Sequence, residues 1–345
     1  MNDNVTLRIG GEVWGGWTTV SIGAGVERLA RDFTVGITRS WPGDKGHRAL
    51  EPGIKKGARV EVFIGDEPVL TGWVEATPVS YDAKSVTVGI SGRSLTADLI
   101  DCSAQPTQFN ERSLIQIAEA LAAPFNIAVV NAGAPDKPIP GVQPGYGETV
   151  LAVLNKMLGQ QPVLIYDTPL GEMVIGRLGA ETATTALVFG HNILSAKADK
   201  SVSGRFSQYQ VAGQSAGNNI NFAAATTSGI RAKSADPQIT RYRPLHLRQS
   251  GQATIDSCME RAEFEARKRA AKTDSVTYIV QGWRQGDGRL WQPNQRVIVS
   301  DPNCGFDKRE LLIAGTQYTK DQNGTRTELK LTPVDAWLPT PKEKE

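Results

Sequence analysis

The chain has 345 residues, 40% of them hydrophobic and 21% charged, which excludes wholesale disorder and calls for more than one core of ordinary size. Lys plus Arg number 38 against 36 Asp plus Glu, so a net charge of +2 excludes a globally basic binder of nucleic acid or anionic membrane and leaves any basic surface local. Cys102, Cys258 and Cys304 have no CxxC spacing, which argues against a disulfide framework or structural zinc and for buried free thiols; with neither signal-peptide layout nor bilayer-long apolar run, maturation in a reducing cytoplasm is expected.

Period-two alternation predicts strands through the first hundred residues: Val5, Leu7, Ile9; Val20, Ile22; Phe33, Val35, Ile37; Val60, Val62, Ile64; Val86, Val88, Ile90. Turn signals at Gly10–Gly11, PGDKG (42–46) and GDEP (65–68) separate them, and GRSLTADLID from Gly92 closes the unit as a short helix. Residues 1–103 are thus expected to form a small antiparallel β barrel or sandwich. The period then changes. Leu114, Ile117, Leu121 and Phe125 share a helical face ending near Pro124, and Val150, Leu151, Leu154 and Leu158 share another, with Gly159 placed for a left-handed cap. Each helix is followed by an extended run, NIAVV or PVLIYD, and then comes GEMVIG, so residues 104–195 are expected to be a peripheral α/β domain.

Strands resume with RFSQYQVAG, and residues 196–213 with 275–336 are assigned to a second β barrel, interrupted by an inserted loop and helix at 214–274 and followed by a polar tail at 337–345. Gly213, Ser215 and Gly217 have the G-x-S-x-G spacing of a serine nucleophile, and Asp236 and His246 follow in triad order. The motif requires a helix after the serine. NNINFAAATTSG has no apolar helical stripe, so a polar loop is favoured over a hydrolase using Ser215. From Gln252 to Lys272 a helix is predicted, with Ile255, Met259, Ala262, Ala266 and Ala270 near one face and i,i+4 charge pairs Arg261–Glu265 and Glu263–Arg267.

Two stretches echo each other: EPGIKKGARVEVFIGDEPVLTGWVEATPVSYDAKSVTVGISG from Glu51, and QPNQRVIVSDPNCGFDKRELLIAGTQYTKDQNGTRTELKLTP from Gln292. Both contain Arg-Val-x-Val, an acidic turn, an apolar pair before a Gly and an alternating strand. The same small β fold is expected twice in one chain.

GWTTVSIGAGVERLARDFTVGITRSWPG, PGIKKGARVEVFIGDEPVLTGWVEA and GRSLTADLIDCS resemble the amino-terminal signature of Mu-type phage tail baseplate hub proteins. The likeness continues collinearly through GYGETVLAVLNKMLG, DKSVSGRFSQYQVAGQ, RYRPL and LWQPNQRVIVSDP. The resemblance implies an α+β, multidomain virion protein of a contractile tail: two tube-type β barrels per chain plus peripheral α/β domains. It implies a homotrimer forming a pseudo-sixfold ring, whose partners are the tail tube, the threefold tail spike and other baseplate proteins, around a channel through which duplex DNA leaves without sequence-specific binding. No catalytic, cofactor or metal residues are assigned, since no carboxylate pair, P-loop or HExxH is present, and no stable membrane insertion is expected.

The segment around 145–178 is also similar to LysM cell-wall binding modules, but QQPVLIYDTPLGEMVIG lacks their Asn-rich second half, so a packing domain is preferred. Trp14, Trp17, Trp41, Trp73, Trp283, Trp291 and Trp337 are read as core or subunit interface, and His47, His191 and His246 lack metal-site spacing. Lys55, Lys56, Arg59, Arg241, Arg243 and Arg248 are read as either basic channel patches or solvated strand edges.

Overall fold

The computed structural model describes residues 3–40, 54–81, 85–139, 141–158, 163–179, 181–198, 200–214 and 229–334. The first β region contains β1 (Val5–Ile9), β2 (Glu12–Trp14), β3 (Thr19–Gly25), β4 (Asp32–Ser40), β5 (Arg59–Ile64), β6 (Glu67–Ala76), β7 (Val79–Tyr81) and β8 (Ser85–Ser94), then helix α1 (Ala97–Asp101). The central part holds β9 (Arg112–Ser113), α2 (Leu114–Ala122), β10 (Val129–Ala132), β11 (Pro138–Ile139), α3 (Val150–Leu158), β12 (Leu164–Asp167) and β13 (Met173–Gly176). The remainder holds β14 (Leu187–Val188), β15 (Ile193–Ala198), β16 (Gln208–Gln214), β17 (Ile230–Ala235), β18 (Pro244–Gln252), α4 (Ile255–Lys272), β19 (Val276–Gln281), β20 (Arg296–Asp301), β21 (Phe306–Asp321) and β22 (Gly324–Pro333).

The two β regions form one fourteen-stranded sheet with the order β15-β19-β22-β21-β3-β4-β8-β6-β5-β1-β2, with β14, β20 and β7 branching from it. No sheet closes into a barrel among the described residues: the path is open at β15 and at β2. The alternating residues explain the core. Val60, Val62 and Ile64 on β5 and Val297 and Val299 on β20 are wholly buried, and one hydrophobic cluster runs from Leu7 and Phe33 to Trp283, Trp291 and Tyr278. Because this cluster draws on both ends of the sequence, the two regions bury apolar area against each other as one body.

The central unit packs α2 and α3 on a three-stranded sheet, β10-β13-β12, around Leu114, Ile117, Val150, Leu154 and Met173. Ser113 caps α2 in a capping box with Gln116, which satisfies orphan N–H groups at the helix start. Pro124 lies in a single 3-10 turn that ends the helix as expected, and Gly159 lies outside the described residues.

Five further readings are corrected. Gln208–Gln214, assigned to the second β region, is the centre of a separate three-stranded sheet, β17-β16-β18, covered by α4. Within the stretch read as loop, Ile230–Ala235 is a strand, antiparallel to β16. On α4 the buried stripe is Cys258, Ala262 and Ala266, while Ile255 and Met259 are exposed. Small side chains at i, i+4 and i+8 let the helix lie close on the sheet, and longer ones do not fit that gap. Of the two expected charge pairs, Glu263 acts on Arg267 as read, but Glu265 pairs with Arg269 in place of Arg261, which donates to the Arg248 carbonyl. Cys258 and Cys304 are buried, as expected of inert thiols, but Cys102 is exposed.

Candidate assembly surfaces

The echo between the two halves is a match of strand order and register. The first region runs β3-β4-β8-β6-β5, and the second runs β15-β19-β22-β21-β20. Arg59 faces Trp73 as Arg296 faces Leu312. The registers of β6 with β8 and of β21 with β22 each slip at a bulge, between Val74 and Ala76 in one and between Ile313 and Gly315 in the other. Bulges re-aim a strand at a fixed position, so the same bulge at the same register marks two copies of one design.

The regions meet at a seam where β21 pairs antiparallel with β3, from Gly315 opposite Gly25 to Lys320 opposite Val20. Glycine is needed here for space: a Cβ on Gly25 would press on the Ala314 carbonyl, and one on Gly23 would crowd the side chains of Asp32 and Gln317. Arg284 links the two regions at a second place, donating to Asp3 at 2.8 Å and to Glu67 of the first region, and to the Gly288 carbonyl of its own. Beside the seam, a cleft of about 600 Å³ opens between α4 and the central unit. Its lining carries Glu27 and Glu265 against Arg261, Lys268, Lys272 and Lys330, and Glu27 lies 2.8 Å from Lys272 and 3.9 Å from Lys330. Burial and the neighbouring Lys272 hold the Lys268 ammonium below the usual lysine range.

Exposed apolar side chains gather at strand edges: Val13 on β2, Val79 and Tyr81 on β7, Leu194 on β15, and Val188 with Phe189 at β14. Edges left this apolar are sites of strand addition or association. Sequence alternation alone does not show them, because the pairing that leaves an edge open is long-range. The basic residues named above fall on different units: Lys55, Lys56 and Arg59 are exposed at the start of β5, while Arg241 and Arg248 are exposed around β18. Residues 200–274 contain 12 Lys plus Arg against 6 Asp plus Glu, so the chain's basic excess is concentrated in the small sheet and its helix.

The hydrolase constellation is not assembled from Asp236 and His246. Asp236 is buried and accepts from Arg205 Nε and Nη2, each at 2.8 Å, so its carboxylate is committed. His246 is exposed on β18 opposite Gln210. Ser215 and Gly217 lie outside the described residues. Gly213 has a packing reason of its own, since a Cβ there would overlap the side chain of Ala253. In the LysM-like segment the apolar face of α3 is core, with Val150, Val153, Leu154 and Met157 buried, and Tyr146 stands fully exposed before it. Trp17, Trp283 and Trp291 are buried core residues, Trp14 and Trp73 are half-buried, and Trp41, Trp337 and His47 lie outside the described residues. Among the described residues no group of His, Cys, Asp and Glu is placed to hold a metal ion, and no helix is long and apolar enough to cross a membrane.

Comparison with known proteins meets this architecture along its length. Residues 4–94 match the family described as Mu phage baseplate assembly protein GpP-like, N-terminal; residues 96–177 match baseplate hub protein gp44-like, second domain; and residues 254–340 match Mu phage baseplate assembly protein GpP, fourth domain. The chain is 31% identical over 347 residues to baseplate hub protein gp44 of Escherichia phage Mu, covering 98% of this chain and 90% of that protein. The crystal structure of the 43 kDa tail protein of prophage MuSo2 from Shewanella oneidensis superposes with a TM-score of 0.85 at 32% identity, over 97% of this chain and 99% of that one. A tail protein from Neisseria meningitidis MC58 shares the fold with a TM-score of 0.81 at 22% identity, over 96% and 97% of the two chains.

Proposed function

The chain belongs to the family of Mu-type phage baseplate hub proteins, and from that premise we propose that it forms a homotrimeric ring in the baseplate of a contractile tail. In this reading the ring joins the tail tube to a threefold spike and surrounds the channel through which duplex DNA leaves, and the chain has no catalytic role. The observation that carries it is the register-matched duplication of β3-β4-β8-β6-β5 as β15-β19-β22-β21-β20. Three chains with two like modules each offer six similar surfaces to a sixfold neighbour and three to a threefold one, so duplication converts one symmetry into the other.

The modules are residues 1–103 for the first and 275–336 together with β14 and β15 for the second, and the α2–α3 unit and the small sheet under α4 lie outside them. The two modules act as tube-type barrels once neighbours complete their open edges. The native mass of the purified chain tests the reading. Three times 37.2 kDa is expected, with an annular end-on view by electron microscopy; a stable monomer at high protein concentration overturns it.

A further inference from the structure

The seam inside the chain has a counterpart of which each half is present but unjoined. In the seam, the far half of β21, beyond its pairing with β20, lies against β3. The shared bulge carries Gly315 onto Ala76, and the pairings of Tyr318 with Thr327 and of Val79 with Val88 carry Tyr318 onto Val79 and Lys320 onto Tyr81. On the other side, Ile22 faces Phe33 as Ala198 faces Val276, while Phe33 faces Gly92 as Val276 faces Leu331. Val20 therefore corresponds to Ala196, and Ile22 to Ala198. The strands equivalent to the joined pair β21 and β3 are β7 and β15.

Among the described residues β7 pairs with β8 and β15 with β19, and the two do not pair with each other. Both edges present large apolar side chains to solvent, Val79 and Tyr81 on one and Leu194 on the other. Both also repeat the geometry of an interface that the chain already makes once. We infer that β7 of one copy adds antiparallel to β15 of the next, with Val79 opposite Ala198, Ser80 opposite Lys197 and Tyr81 opposite Ala196. The contact is head-to-tail, so each copy uses one edge as donor and the other as acceptor, and the chain of contacts ends only when the ring closes. Six seams then alternate around the ring, three within chains and three between them. The inference rests on the trimer reading above and assigns the surface that makes it.

Cross-linking of the full chain tests the register. Directly opposite residues of an antiparallel pair have Cα atoms about 4.5–5.5 Å apart, within disulfide range. In a Cys102→Ser background, Ser80→Cys with Lys197→Cys is expected to oxidise to covalent dimers and trimers. The yield should be roughly tenfold above that of Ser80→Cys with Ser195→Cys, which stands two residues out of register. The native mass of the same reduced variants is read in parallel. A trimeric mass without the register-specific cross-link overturns the seam and leaves the trimer standing. A monomeric mass overturns both, and a ladder running past three chains keeps the seam and overturns the trimer.

Discussion

Arg31 holds Asp167 by backbone and side chain together: its N–H donates to Oδ2 at 3.0 Å, its Nε to Oδ1 at 3.1 Å, and its Nη2 to the Asp167 carbonyl at 3.1 Å. Both side chains are buried, and the pair ties the loop before β4 to the end of β12, fixing the central unit on the first β region. Breaking one partner strands the other charge away from water, which costs about 3–5 kcal/mol. Asp167→Ala and Arg31→Ala are each expected to lose that much in denaturant unfolding. The double Arg31→Met, Asp167→Leu should recover part of the loss, because two apolar side chains leave no unpaired charge. Equal losses in all three variants would show that packing, and not the charge pair, sets the cost.

Gly92 lies opposite Val74 beside the bulge where β8 pairs with β6, and a Cβ there would overlap the Trp73 carbonyl and stand 2.8 Å from Phe33. Neither neighbour is the free end of a flexible side chain. Gly92→Ala should therefore cost more than about 2 kcal/mol and reduce the yield of folded protein. Gly204→Ala, with open space around its Cα, should stay within about 0.5 kcal/mol of the parent. Thermal melts of the two variants decide it: similar melting points would show that the backbone around the bulge relaxes.

Asp301 sets an acid limit on the second β region. Burial works to raise its carboxyl, but hydrogen bonds from the Cys304 thiol, the Tyr278 hydroxyl and the backbone N–H groups of Cys304 and Asn303 outweigh it and hold it below the usual carboxylate range. A carboxyl lowered by folding contributes its full stability above the unfolded value, about pH 4, and loses it as pH falls through the folded value. Stability should therefore drop below about pH 4, and Asp301→Asn should be less stable at neutral pH yet flatter in that window. An unchanged acid slope in the variant would assign the titration to other carboxylates.

Much of this architecture was legible because it is local. Alternation located the β strands, and period 3.6 located α2, α3 and α4. Pairing was less legible: Gln208–Gln214 alternates like any strand, and nothing in its residues says that its neighbours are β17 and β18. The stripe on α4 was half read for a related reason, since hydrophobicity favours Ile255 and Met259, while the gap over the small sheet admits only Cys258, Ala262 and Ala266. The echo from Glu51 and Gln292 was visible in sequence, but that β7 and β15 each pair on one side only among the described residues emerges from the long-range pairing of the other strands.

Asp236 separates the structural reading from the hydrolase reading. In a hydrolase, Asp236→Asn would abolish turnover and leave the fold intact. Here its carboxylate holds the buried Arg205 guanidinium, so the substitution should lower stability by about 3–5 kcal/mol. Ser215→Ala should change neither stability nor assembly, and the parent chain should not turn over ester substrates. Enzymatic turnover lost on Ser215→Ala would overturn the non-catalytic reading.

In the proposed ring, duplex DNA must pass without sticking. A wall that lets a polyanion slide must avoid strong basic clustering, because each neutralised phosphate adds affinity that salt removes, with a slope near −0.9 in log K against log salt. The net charge of +2 fits such a wall, yet the basic excess lies in residues 200–274, where Arg241 and Arg248 are exposed. The isolated protein should therefore bind duplex DNA weakly and without sequence preference at low salt, and lose it at physiological salt. Arg241→Ala with Arg248→Ala should reduce the salt slope by about 1 per residue if this basic unit makes the contacts. A slope unchanged by both substitutions would move the contacts to Lys55, Lys56 and Arg59 on the first β region, which are also exposed. Tight, sequence-selective binding that survives physiological salt would instead make the chain a DNA-recognition protein, and the passive channel would fail.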